Sequence, residues 1–384
     1  MEVSVANGDV IANRSEPLAN EAQFDRMALE LFELQFNHNA AYRKICQARG
    51  CTPATVGCWS EIPAVSAAAF KELELSCLPP DERSSVFFSS GTTEHKRSRH
   101  WHNSSSLAVY EKSALGWFKP HLGFPDAASD LRERPAKPSR ILVLTPPKAL
   151  APNSSLVHMF NTIVHDHGAL DSGFVGTVGS DGSWGLDFPA AKSFLTQSVE
   201  FTEPVLVLGT AFSFVNLLDR LSEHHLQFVL SPACCALETG GYKGLSRSMP
   251  KAELHRLIST RLGISPNHIV CEYGMAELSS QAYDCALKES CHTKGDGRVD
   301  SAWAAARKFL FPPWARMQVV SPESGRVVSE GDTGLVRVVD LANIYSVMAV
   351  QTEDLGIRRG NGFELLGRAQ HVEPRGCSLM VAAS

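Results

Sequence analysis

Ile269-Val270-Cys271-Glu272-Tyr273-Gly274-Met275-Ala276-Glu277 joins a short apolar run to a glycine turn flanked by an aromatic ring and a carboxylate. The run Ile269–Cys271 has the length of a buried strand core. Working outward, runs of the same kind stand at Val86–Phe88, Ile141–Leu144, Val205–Leu208 and Phe228–Leu230, each followed directly by Gly, Ser or Thr. Helical spacing of apolar residues marks Glu21–Phe36, through Phe24, Met27, Leu31 and Leu34, then Ala41–Ala48 ending near Gly50, Ser213–His224 and Pro250–Leu262. Strand, turn and helix in repetition predict an α/β fold with helices covering a largely buried sheet. Gly173–Gly185, rich in Gly and Ser, reads as a hairpin or a flexible excursion. Frequent β-branched residues at Gly334–Asp340 and Tyr345–Val350 predict strands of a smaller β-rich subregion.

The chain has 384 residues, enough for one large or two modest domains. A net charge of -5, with no basic run or aromatic-interleaved basic stripe, argues against a nucleic-acid partner. No stretch approaches the roughly 20 apolar residues that span a bilayer. Met1–Asn20 is polar and shows no signal peptide, so a cytoplasmic protein with a flexible leader at 1–20 is expected. In that compartment the ten cysteines read as free thiols. Cys46, Cys51 and Cys58, like Cys285, Cys291 and His292, lack the close pairs of a zinc site, and Cys234-Cys235 reads as packing or pocket lining. No GxSxG elbow, Walker P-loop or GxGxxG fingerprint occurs.

In a fold of this class, ligands meet the loops where strands end. Three turns carry chemistry there. Ser89-Ser90-Gly91-Thr92-Thr93 lets backbone N–H and hydroxyl groups converge on a phosphate, with Lys96, Arg97 and Arg99 close behind. Glu238-Thr239-Gly240-Gly241 permits close backbone approach to a flat ligand, although a tight turn entering a helix would look the same. Tyr273 and Gly274 offer a stacking face and a close approach, and Glu277 a hard oxygen ligand suited to Mg²⁺ held mainly by phosphates.

The order of these turns, followed by Asp354 and then Gly367-Arg368, resembles the core motifs of the acyl-adenylate-forming superfamily. A more specific resemblance comes from Phe311-Pro312-Pro313-Trp314, Asp340-Leu341-Ala342-Asn343, Thr352-Glu353-Asp354-Leu355-Gly356 and Glu373-Pro374-Arg375-Gly376-Cys377-Ser378-Leu379. These look like the acyl-protein synthetase (LuxE-type) family, with Phe70-Lys71, Ser154-Ser155-Leu156 and Cys271 through Gln281 also fitting.

The resemblance implies the large-domain fold of an adenylate-forming enzyme, with layered sheets and helices. It also implies that the usual separate C-terminal lid domain is lacking. Residues 21–365 would then form the catalytic domain and 366–384 a short tail carrying the acyl-accepting Cys377. The implied activity is ATP- and Mg²⁺-dependent activation of a carboxylic acid, in the first instance a fatty acid. The acyl group passes to Cys377 as a thioester and on to an acyl reductase or another acceptor protein. Phosphates would lie on Ser89, Ser90, Gly91, Thr92, Thr93 and Ala276. Adenine would lie near Glu238, Thr239, Gly240, Gly241, Tyr273 and Gly274, and ribose on Asp354 and Arg368. Catalysis would fall to Thr92, to Glu277 as metal ligand and to Cys377, whose thiolate is a strong nucleophile with the Arg375 cation nearby.

Two positions depart from the superfamily pattern. Glu94 follows Thr93 where a glycine is usual, and Ala276 stands where a threonine contacts phosphate. The departures keep two other readings open: transfer to an external amine, CoA or carrier-protein thiol, and a catalytically weakened acyl-binding subunit.

Overall fold

The computed structural model describes residues 21–89, 96–122, 140–240, 249–284 and 307–369. The chain forms two compact units. The first comprises residues 1–113, 275–282 and 306–384, and the second residues 114–274 and 283–305.

The first unit opens with helices α1 (Glu21–His38) and α2 (Ala40–Ala48). Of the residues whose spacing predicts α1, Phe24 and Leu31 are buried and Met27 and Leu34 half-buried, with Ala28 and Phe32 completing the buried face. Asn39 caps α2 by accepting the Tyr42 amide at 3.0 Å. Strand β1 (Val65–Ser66) follows, and then an antiparallel hairpin of β2 (Ser85–Phe88) and β3 (Arg99–His102). Helix α3 (Ser104–Leu122) packs Tyr110 against Phe87 with ring centroids 5.4 Å apart.

The second unit is built on a six-stranded sheet. Its strands are β4 (Arg140–Val143), β5 (Gly173–Phe174), β8 (Val205–Thr210), β9 (Cys235–Thr239), β10 (Ile269–Tyr273) and β11 (Ala282–Tyr283). The order is β11-β10-β9-β8-β4-β5, and the pairs from β10 through to β5 are parallel. Strands buried on both faces need continuous apolar runs. Ile141–Leu144 and Val205–Leu208 supply them and are fully buried.

Between these strands lie α4 (Ser155–His167), α5 (Phe188–Phe201), α6 (Ala211–Glu223) and α7 (Lys251–Leu262). Each of the first three starts on a residue whose side chain accepts a backbone N–H: Ser154, Asp187 and Thr210. Thr210 and Ser213 form a reciprocal capping box, which turns the end of β8 directly into α6. The Gly/Ser-rich segment is a hairpin, β6 (Gly176–Val178) against β7 (Trp184–Leu186).

Phe228–Leu230 is not a strand. Its backbone is spent on the end of α7: the Phe228 amide donates to Arg261 O at 2.8 Å and the Leu230 amide to Leu262 O at 3.2 Å. Those carbonyls are among the four that a helix leaves unpaired at its C-terminus. The strand expected there begins five residues later, at Cys235, and the Cys234-Cys235 pair enters the buried core.

The chain then completes the first unit with β12 (Ala315–Val320), β13 (Thr333–Asp340), β14 (Ala349–Arg359) and β15 (Gly362–Arg368), paired antiparallel in succession. Strand β1 adds parallel to β14. This is the smaller β-rich subregion. Residues 341–348, partly expected as strand, form a turn instead, tied down by Gln35 of α1. The Gln35 amide donates to Asn343 O at 2.7 Å, and its carbonyl accepts the Met348 amide at 3.0 Å. Among the described residues no helix is long and apolar enough to cross a membrane.

Candidate active site

Of the expected site residues, Ser90, Gly91, Thr92, Thr93, Gly241 and Cys377 lie outside the described residues. The others fall into two sets, one in each unit.

The first unit gathers Ser89, Ala276, Glu277, Asp354 and Arg368. Ser89 closes the neck of the β2–β3 hairpin: its hydroxyl accepts the Ser98 amide at 3.0 Å, and its own amide donates to Ser98 O at 3.3 Å. The loop expected to cradle phosphate therefore springs from a pinned base. The Ala276 carbonyl accepts from His100 Nδ1 of β3 at 2.9 Å, which fixes the tautomer with its proton on Nδ1. Burial holds His100 down to about 4, so the ring is neutral at ordinary pH.

Glu277 is buried. Burial pushes its carboxyl above the usual range, while the Ser98 side chain and the Arg368 and Lys71 charges draw it back. Arg368 in turn lies directly across β15 from Asp354 of β14, with Nε 3.7 Å from Oδ1. The Ser98 side chain, just before β3, and the Arg368 charge of β15 thus both act on the Glu277 carboxyl.

The loop bearing Glu277 has no regular structure, so its backbone needs partners from elsewhere. Asp340, at the end of β13, supplies them. It accepts the Ser279 and Ser280 amides at 2.9 and 2.8 Å, the Ser280 hydroxyl at 2.7 Å and the Ala342 amide at 3.0 Å. Asn343 donates to Glu277 O at 2.8 Å. The Trp314 indole N–H reaches the Ser113 and Ser280 hydroxyls at 2.9 and 3.1 Å.

No functional role was expected for Asp340, Asn343, Trp314, His100 or Ser98, yet they set the position of Glu277. The motifs Phe311–Trp314 and Asp340–Asn343 were the available signal. They matched a family pattern before any role for them could be read.

The second unit holds Glu238, Thr239, Gly240, Tyr273 and Gly274 at the ends of β9 and β10, where Thr239 and Glu272 are register partners. Gly240 has φ +69, which an L side chain rarely adopts, and a Cβ placed there would meet nothing within 4 Å. That open, left-handed turn suits the close approach of a flat ligand. The Thr239 hydroxyl donates to Glu272. Tyr273 is largely buried.

The Glu238 side chain points into the protein, toward Cys271 and His255, so only its backbone is left to the turn at Gly240. The two sets are continuous along the chain, because the YGxxE stretch passes from the second unit to the first between Gly274 and Met275.

The fold is that of the large domain of adenylate-forming ligases. It matches an open conformation of 2-hydroxyisobutyryl-CoA ligase in complex with 2-HIB-AMP and CoA at TM-score 0.62 and 12% identity, over 92% of this chain and 70% of that one. The same ligase in its postadenylation state matches at TM-score 0.60 and 13% identity, over 93% and 72%.

The acyl-protein synthetase family, LuxE, matches residues 174–384, more than half of the chain, and the chain belongs to that family. The long-chain-fatty-acid–luciferin-component ligase of Aliivibrio fischeri is 20% identical over 208 residues, 51% of this chain and 50% of the relative. The chain therefore aligns with half the length of that relative.

Proposed function

We propose that this chain activates a carboxylic acid, in the first instance a long-chain fatty acid, with ATP, and carries the acyl group on Cys377 to an acceptor such as a reductase in the cytoplasm. The carboxylate oxygen attacks the α-phosphorus, the bond to pyrophosphate breaks and pyrophosphate leaves. The Cys377 thiolate then attacks the acyl carbon, the carbon–oxygen bond to AMP breaks and AMP leaves with the electron pair.

The observation that carries this reading is the grouping of Glu277 with the Asp354–Arg368 pair and the pinned Ser89–Ser98 neck in one unit. Phosphoryl chemistry asks the protein mainly for positioning and charge, and that set provides both. Asp354, with 19% of its side chain accessible, suits two ribose hydroxyls, with Arg368 holding it in place. This reading assigns the adenine to Gly240 and Tyr273 and the phosphates to Ser89–Thr93. Glu277 would hold Mg²⁺ together with those phosphates, and the metal supplies charge neutralisation when bound.

Ala276 offers no hydroxyl to the phosphates, a loss of about 1–3 kcal/mol if the missing partner is charged, which slows the enzyme without silencing it. Intact-mass measurement after incubation with ATP, Mg²⁺ and a mixed acid library tests the reading. A single acyl adduct lost in Cys377→Ala is expected. Turnover by that variant with an added thiol or amine acceptor would assign the second step to an external nucleophile instead.

A further inference from the structure

A second constellation lies in the second unit, beneath the adenine turns, and the proposed reaction does not use it. Glu238 of β9 and Cys271 of β10 are register partners in a parallel pair, so their side chains leave the same face of the sheet side by side. The helix α7 covers that face with Leu254, His255, Ile258 and Leu262, and places the His255 ring over the pair. Cys271 Sγ lies 3.2 Å from Glu238 Oε2 and 3.6 Å from His255 Nε2, and that nitrogen lies 3.6 Å from the same Glu238 oxygen.

Around a tetrahedral zinc, bonds of about 2.3 Å to sulfur and about 2.0 Å to nitrogen or oxygen set ligand–ligand edges of about 3.3–3.6 Å. The triangle found here, with edges of 3.2, 3.6 and 3.6 Å, lies close to those values. Among the described residues, this is the group of three whose ligand atoms all lie within 4.8 Å of one another.

We propose that Glu238, His255 and Cys271 form a buried site for a divalent transition metal, zinc by donor type, with water in the fourth position. A thiolate, an imidazole and a carboxylate are the donor set that borderline-soft Zn²⁺ selects over Mg²⁺ or Ca²⁺. Uptake forms Zn–S, Zn–N and Zn–O bonds and releases the Cys271 thiol proton to solvent. Two negative ligands and one neutral ligand then cancel the metal charge, which suits a site this buried.

Two other charged groups face the cluster. Asp284 accepts the Cys271 amide at 2.8 Å and fixes that strand end. Lys251 stands one helical turn before His255 on α7 and gives its charge to the same acids while no metal is bound. The alternative is a hydrogen-bonded polar network balanced by Lys251 alone, and metal binding separates the two.

The test uses the full chain, stripped with a chelator and titrated with Zn²⁺ in the absence of ATP against a competing chromophoric chelator. One tightly bound equivalent is expected. X-ray absorption on the loaded protein should show one sulfur at about 2.3 Å and nitrogen or oxygen neighbours at about 2.0 Å. His255→Gln and Cys271→Ser should each weaken binding by more than about 100-fold, since even outer-shell changes cost 10–100-fold. Cys46→Ser should leave binding unchanged. No stoichiometric uptake, or a coordination sphere without sulfur in the native chain, overturns the proposal whether or not the variants fold. Uptake unaltered in variants that do fold overturns it equally. ATP–pyrophosphate exchange is read separately, so neither result bears on the proposed ligase reaction.

Discussion

Asp340 in the first unit and Glu238 in the second are both buried carboxylates at the ends of central strands, and their partners differ in kind. Asp340 receives three backbone amides and one hydroxyl, all from residues 279–280 and 342. Burial pushes its carboxyl up and those four donors pull it back. It is spent on holding one loop.

Glu238 faces side chains instead. Burial raises it, but the His255 contact, the Lys251 charge and the Cys271 thiol more than offset that and leave it lowered. A carboxylate saturated by backbone fixes a shape, whereas one surrounded by ionisable side chains builds a charge site. The first kind serves the Glu277 loop of the first unit, and the second a side-chain cluster within the second.

The comparison breaks most readily at Asp340. Asp340→Ala removes the acceptor of three amides and a hydroxyl, and an expected loss of about 3–5 kcal/mol follows from several unsatisfied buried groups at once. Urea unfolding should show the midpoint falling at nearly constant slope. An unchanged midpoint would mean the loop finds other partners.

Glu272 sharpens the contrast on the other side. Burial raises its carboxyl from its ordinary value to about 7, helped by the Glu238 charge and opposed by the Thr239 hydrogen bond. A carboxyl raised in the folded state contributes stability that is present below its unfolded value and lost as pH climbs through the folded one. Stability should therefore fall by about 3 kcal/mol between roughly pH 4.5 and 7. Glu272→Gln should flatten that part of the profile, and identical profiles for the two proteins would refute the assignment.

Smaller effects are expected at the residues proposed to touch ligand rather than core. Asp354→Asn should leave unfolding nearly unchanged and lower acid-dependent pyrophosphate exchange about 10- to 100-fold, the value of one hydrogen bond to a charged group. Equal loss of stability and activity would make Asp354 a structural residue. At Gly240 the space is open and only the backbone resists, so Gly240→Ala should cost about 1–2 kcal/mol, seen as a modest drop in melting temperature.

Much of the architecture was legible where local pattern and burial agree. Val205–Leu208 and Ile269–Cys271 read as buried strands because parallel strands are apolar on both faces, and they are strands. The spacing of Phe24, Leu31 and their neighbours read as a helix and is one. Phe228–Leu230 misled because an apolar segment that caps a helix end has the composition of a strand, and only the α7 carbonyls distinguish them.

The site shows the same division. Its turns were readable as short motifs, and Asp354 meets Arg368 as neighbouring strands require. The braces from Asp340 and Asn343 to a loop some sixty residues earlier carried no local signal. Nor did the meeting of Glu238, His255 and Cys271, whose separations match no metal-binding spacing and whose contact exists only once β9, β10 and α7 have packed.

The most direct measurement is ATP–[³²P]pyrophosphate exchange by the full chain with a panel of fatty and aromatic acids in the presence of Mg²⁺. Exchange that depends on an added acid, and that falls in Asp354→Asn, is the predicted result. A folded protein that exchanges with none of the acids would contradict acid activation by this chain.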